Sequence, residues 1–210
     1  MFHVCHMPDI ASLLKSRLVS RQLLHLFIPE QIANEDQQYR ANLARLVDKA
    51  ISAYTEARNF IELEIAEAKR PAEEMMRTGR IFYTFGFVDS MENCINATHR
   101  ALLIFERLKR VPVGAHMDKT TRKLIETHVQ KVNDVRDLIE HMDEKILKGE
   151  IGPGQRVMLA PGSDQESVVI GTYTLRFDRL ASVLQNLHKV GHQIFDGQAA
   201  QFNAQQQKMP

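Results

Sequence analysis

Residues 80–110 read RIFYTFGFVDSMENCINATHRALLIFERLKR, a stretch without proline in which Tyr83, Phe87, Met91, Cys94, Ile95, Ala101, Leu102, Phe105 and Leu108 recur at three- to four-residue intervals. That spacing gathers the apolar side chains on one face of a long α-helix. Such a stripe must be buried against other helices. Upstream, Asn34 followed by Glu35 and Asp36 is a helix start, and Leu43, Val47, Ala50, Ile51, Tyr54, Ile61 and Ile65 carry a second stripe to Lys69. Arg70-Pro71 ends or kinks that helix, because proline lacks the backbone donor and restricts the residue before it. Downstream of Val111-Pro112-Val113-Gly114, Asp118 caps a third helix, whose stripe Leu124, His128, Val132, Val135, Ile139, Met142 and Ile146 runs to Gly149. Asp178 opens a last helix bearing Leu180, Leu184, Leu187, Val190 and Ile194. The prediction is an all-α fold, an up-and-down bundle of four to five helices.

One segment departs from helical spacing. Arg156–Ala160 and Val168–Tyr173 are short apolar or β-branched runs around the turn sequence Pro161-Gly162-Ser163-Asp164, which predicts a small β-hairpin at about 156–174, before the last helix. The ends are read apart from the helical domain, with the short amino-terminal helix expected to dock on its body or on a partner. Residues 1–33 form a leader and a short helix, carried by Ile10, Leu13, Leu14, Leu18, Leu24 and Phe27 before Ile28-Pro29. Met1 to His6 reads as an unstructured leader ahead of a second possible start at Met7. Gly197 opens a glutamine-rich tail, 196–210, expected to be disordered. The helical domain is then 34–195.

The 210 residues carry 27 basic and 26 acidic side chains, a net charge of +1, so no chain-wide field attracts a polyanion. The apolar runs fall far short of the roughly 20 residues that span a bilayer. A cytoplasmic protein without a membrane partner is expected. Cys5 and Cys94 are too far apart for a disulfide framework or a paired zinc motif, and both read as reduced thiols, Cys94 buried in its helix. His3, Cys5 and His6 supply three ligand types where a closed structural site needs four, so no metal is assigned there.

Phosphate-binding glycine loops, nucleophile elbows and paired His/Glu metal motifs are absent from the sequence. What remains is the end of the third helix. Arg136, Asp137, Glu140, His141, Asp143 and Glu144 crowd it with charge. Asp137, His141 and Glu144 share one side of a helix, but no second helix offers a matching set, and neither metal nor cofactor is assigned. Two further features read as packing: His128 on the apolar stripe, and Phe82, Tyr83, Phe85 and Phe87 at a helix start, suited to core or dimer contacts.

The string Arg136-Asp137-Leu138-Ile139-Glu140-His141, late in a long helix with two long helices before it and one after, resembles the arginine-x4–6-histidine motif of the HEPN superfamily. The resemblance spans about Asn34 to Phe195. It implies a homodimer with motif helices facing across a two-fold axis, and a metal-independent endoribonuclease of a toxin or defence type, with a protein antitoxin as a candidate partner. His141 would move the proton, Arg136 would stabilise the charge on phosphate, and Asp137 would orient His141. At about 100° per residue, Arg136 lies roughly 140° from His141, so convergence on one phosphate calls for a second chain. RNA would be drawn by Arg100, Arg107, Lys109, Arg110, Lys119, Arg122 and Lys123, which give residues 100–123 a net of +5 against Glu106 and Asp118. Residues 131–148, with four basic and five acidic side chains, carry a net of −1. The alternative is a HEPN-like module without catalysis that binds a nucleotide or a protein, in which Glu140 and Asp143 tie up Arg136.

Overall fold

The computed structural model describes residues 5–25 and 34–206, and these are mostly helical with one small antiparallel sheet. A 3-10 turn, Ala11–Ser16, leads into α1, Leu18–His25. Next come α2, Asn34–Ala68, the short α3, Ala72–Thr78, and α4, Thr84–Leu108. A second 3-10 turn, Pro112–His116, joins α4 to α5, Lys119–Glu140, which is followed by α6, Met142–Leu147. The sheet has β1, Arg156–Pro161, β2, Ser167–Gly171, and β3, Tyr173–Arg176, and α7, Phe177–Gln206, closes the chain. The broadest packing is α2 against α4, and α7 fills the groove bounded by α5 and α2. Tyr54, Phe87, Phe105 and Phe177 lie fully buried in the shared core, with Phe87 and Phe177 meeting edge to face at 6.5 Å.

At the amino end the short helix docks on the main body, against α2 and α7, and adds to the core. Met7, Ile10 and Leu18 are buried, and Cys5 is half-buried, with the His6 N–H donating to the Gln165 carbonyl at 2.8 Å. Polar contacts from α2 and α7 fix this segment. The buried Asp48 carboxylate on α2 accepts from the Leu18 and Val19 N–H groups at 3.1 and 3.0 Å, capping α1 from another element. The Ser16 carbonyl accepts from Nε2 of both His188 and His192 on α7, at 2.9 and 3.2 Å. Arg21 pairs with Asp196, and Arg58 Nε donates to the Met7 carbonyl at 3.2 Å. His3, Phe27, Ile28 and Pro29 lie outside the described residues.

Three boundaries differ from the sequence reading for local reasons. The third helix is not continuous to Gly149; it breaks at His141 (φ −109°, ψ 17°). The break turns Met142 inward and sets Asp143 and Glu144 in the first turn of α6, where acidic side chains complement the helix dipole. The expected hairpin is a three-stranded meander, because Gly171 takes φ +54° and starts a two-residue turn that pairs Ile170 with Tyr173. Gly197 does not end α7, which continues to Gln206 where a disordered tail was expected. A Cβ at Gly197 would sit 2.4 Å from His116 Nδ1, so that glycine serves close packing, and the alanines and glutamines after it are adequate helix formers.

Candidate functional site

The last two turns of α5 carry the motif, held in place by Val135 and Leu138, which bury the inner face of the helix. Arg136 is three-quarters buried and engaged by its own neighbours: its Nη1 lies 3.1 Å from Asp137 Oδ1, and its Nη2 forms an ion pair with Glu140. Asp137 therefore faces Arg136 and does not bond His141. A permanent cation next door attracts the carboxylate more strongly than an imidazole does. His141, exposed at the α5–α6 break, has its Nδ1 3.5 Å from Glu144 Oε2.

His141 borders an open depression of about 280 Å³, lined also by Asp137, Glu144, Lys145, Lys148 and Glu150. Arg136 does not line it. The lysines there are already neutralised, Lys148 by Glu144 at 2.6 Å and Lys145 by Glu150 at 3.0 Å. The hydrogen bond between Lys145 and Glu150 raises the amine's pKa and lowers that of the carboxyl. Within one chain the depression offers a histidine among acids, without a free cation to meet a phosphate. Among the described residues, no group of three or more His, Cys, Asp or Glu side chains is arranged to hold a metal ion.

The basic segment divides. Arg107 pairs with Glu35 at 2.5 Å and stacks 4.4 Å from the Tyr39 ring centroid. Lys109 bonds Glu126 at 2.5 Å and Glu106 at 2.9 Å; partial burial works against its charge, but these two carboxylates outweigh it and raise its pKa. Arg100, Arg110, Lys119, Arg122 and Lys123 make no ion pair among the described residues. Asp118 caps α5 by accepting from the Thr121 N–H at 2.8 Å, and that bond holds its carboxyl below the usual range. At 1.5 Å per residue, Arg122 and Lys123 stand roughly 20 Å along α5 from Arg136 and about 27 Å from His141. Only Arg100 lies level with the motif end of α5, since its neighbour His99 bonds Asn133, Nδ1 to Oδ1, at 2.9 Å.

His128 is half-buried between α5 and α7, where burial, then Arg179, lowers its pKa. Of the aromatic cluster, Phe87 is core whereas Phe82 and Phe85 are exposed. Besides Asp48, the sequence reading missed two buried acids, Glu64 and Glu67 on α2. Their signal was there: Glu64 continues the inward spacing of Ala57 and Ile61, where an apolar residue is expected. The chain matches no family model, no curated protein and no solved structure.

Proposed function

We propose that this chain is a HEPN-like helical module that acts by binding a protein partner, with the Arg136–His141 string serving as a polar ladder on α5. The order of two long helices, a motif helix and a final helix supports the HEPN-like bundle, with the small sheet as an insertion. The observation that carries the reading is the engagement of Arg136 by Asp137 and Glu140, which leaves its charge matched before any phosphate arrives. Its separation from Arg110, Lys119, Arg122 and Lys123 adds to this. Incubating the full chain with mixed RNA pools in the presence of a chelator tests it. The expected result is no cleavage, for wild type, Arg136→Ala and His141→Ala alike.

A second reading rests on His141, whose exposed imidazole borders the 280 Å³ depression and carries no bond from Asp137. In it, two chains meet through their α5 helices, and Arg136 of one joins His141 of the other in a metal-independent endoribonuclease, restrained in the cytoplasm by a protein antitoxin. Chelator-resistant cleavage that disappears in His141→Ala would establish this reading and overturn the first.

A further inference from the structure

Where α2 turns through α3 into α4, five large apolar side chains face solvent: Leu63 (44% exposed), Met76 (82%), Ile81 (50%), Phe82 (62%) and Phe85 (64%). They lie around one tip, where Glu67 on α2 reaches the Ile81 N–H and Arg70, Arg70 reaches the Gly79 carbonyl after α3, and Glu64 takes the Tyr83 N–H. The Phe60 ring lies against Gly86, where a Cβ would be 2.7 Å from it, and the Arg80 guanidinium lies 5.1 Å from the Phe82 centroid.

This exposed segment is held rigidly. Glu64, 4% exposed, accepts from the Tyr83 N–H at 2.8 Å and from Arg80 Nη2 at 2.9 Å. Glu67, 8% exposed, accepts from the Ile81 N–H at 3.0 Å and pairs with Arg70 at 2.7 Å; Arg70 also donates to the Gly79 carbonyl. Burying two carboxylates is costly unless they are fully bonded. Here their bonds fix the backbone on both sides of Phe82, so the aromatic rings are presented in a set position. Preorganised aromatic anchors of this kind lose little entropy on docking.

We infer that this tip, built from α2, α3 and the segment entering α4, is the docking surface for a second copy of the chain. Size is the first argument. The exposed fractions of the five side chains sum to about three whole ones, on the order of 500–600 Å² of apolar surface at roughly 150–250 Å² each. Two copies would bury on the order of 1,000–1,200 Å² of it, the range in which specific interfaces begin. The rim supplies the second. Lys69 and Arg77 stand beside Glu73 and Glu74, and none of the four makes an ion pair among the described residues. Two cations and two anions are self-complementary, whereas a lipid surface or a polyanion would be met by an excess of cations. A two-fold axis near the middle of α3 sets Glu73 of one copy opposite Arg77 of the other, with the Met76 side chains close to the axis. The surface carries no motif residue; the masses expected below rest on the binding-module reading, since an α5 contact added to this one would double them.

Light scattering and sedimentation of the full chain at micromolar concentrations test it. The wild type is expected at twice 24.1 kDa, and Phe82→Glu/Phe85→Glu at the single-chain mass with an unchanged helical circular-dichroism spectrum. Should that variant fail to fold, surface charges carry the test: Arg77→Glu weakens the dimer about tenfold or more, and adding Glu73→Arg restores it. A wild type at 24.1 kDa throughout overturns the inference, as does a dimer unmoved by the Phe82/Phe85 or Arg77 changes. A single-chain wild type captured by phosphatidylcholine vesicles also overturns it, in favour of a membrane.

Discussion

The Asp48 carboxylate lies 3.1 Å from the Leu18 amide nitrogen, joining the middle of α2 to the first turn of a helix thirty residues earlier. Its other oxygen takes the Val19 N–H at 3.0 Å. One buried side chain thus satisfies two of the unpaired donors that every helix start leaves. Asp48→Ala removes both acceptors and strands the donors in the core. We expect a loss of about 2–3 kcal/mol in urea unfolding, combining a lost cap with unsatisfied buried groups. Asp48→Asn keeps one oxygen and should lose less. Equal stability of Asp48→Ala and wild type would mean that α1 is not docked here in solution.

Leu18 is also the neighbour that forces glycine at 191: a Cβ there would stand 2.4 Å from Leu18 Cδ1. Gly191→Ala overpacks a fully closed contact and is expected to cost about 1–3 kcal/mol despite alanine's better helix propensity. Leu18→Ala alone leaves a cavity and costs about 2–5 kcal/mol. Because the two residues touch, the double variant should be less destabilised than the two single losses combined. Additive losses would show that Gly191 and Leu18 do not share this contact.

The long helices were legible in the sequence because their stripes repeat many times, so one misplaced residue does not hide the period. Asn34, Arg70-Pro71, Asp118 and Asp178 marked real boundaries for the same reason: each acts on its own backbone neighbours. What escaped notice depends on partners distant in the chain. Asp48 looks like an ordinary surface acid until the Leu18 and Val19 donors are brought against it, and the inward spacing of Glu64 does not reveal that its donor is at Tyr83. Gly197 reads as a helix stop until His116 is packed on it. The motif lay between these cases. Its residues were found from spacing, but the break at His141 and the choice of Asp137 for Arg136 over His141 are decided by local competition among charges that spacing does not resolve.

Acidification should loosen the amino-terminal docking. Burial, neighbouring His188 and Arg21 lower the pKa of His192 from 6.5, against the opposing pull of the Ser16 carbonyl and Asp196. As the pH falls through 6.5 the unfolded chain takes up this proton before the folded one does. The contribution is therefore complete above that value and lost as pH drops through the lower, folded pKa. His128 is lowered as well and acts in the same direction. Stability measured between pH 7.5 and 5 should fall, and His192→Gln should make the slope shallower, with His128→Gln removing a further share. An unchanged slope in His192→Gln would remove His192 from the account.

The two thiols report on the same packing. Burial, with Asp164 adding to it, pushes Cys5 up to about 11, and burial raises Cys94 to about 12 against the Thr98 hydrogen bond. At pH 8 the thiolate fractions are then about one in a thousand and one in ten thousand. Both thiols should react slowly with Ellman's reagent in the native protein and rapidly in urea. Asp48→Ala should speed Cys5 selectively, since undocking the amino-terminal segment exposes it while Cys94 stays on the buried face of α4. Equal acceleration of both would indicate global unfolding instead.

The Arg136–Glu140 pair gives the motif a stability signature independent of any RNA. Its partners are four residues apart on α5, with side chains 24% and 42% exposed, so solvent screens much of the attraction. A double-mutant cycle on Arg136→Ala and Glu140→Ala should return a coupling of about 0.3–0.5 kcal/mol, falling in high salt. Asp137→Ala should weaken it little, because the guanidinium keeps its Glu140 contact. If Arg136 were held ready for a phosphate, Glu140→Ala would increase RNA affinity by freeing the cation. On the binding-module reading it changes unfolding alone. Filter binding of an RNA pool to Glu140→Ala therefore separates a ladder from a restrained site, and a marked gain in affinity would count against the ladder.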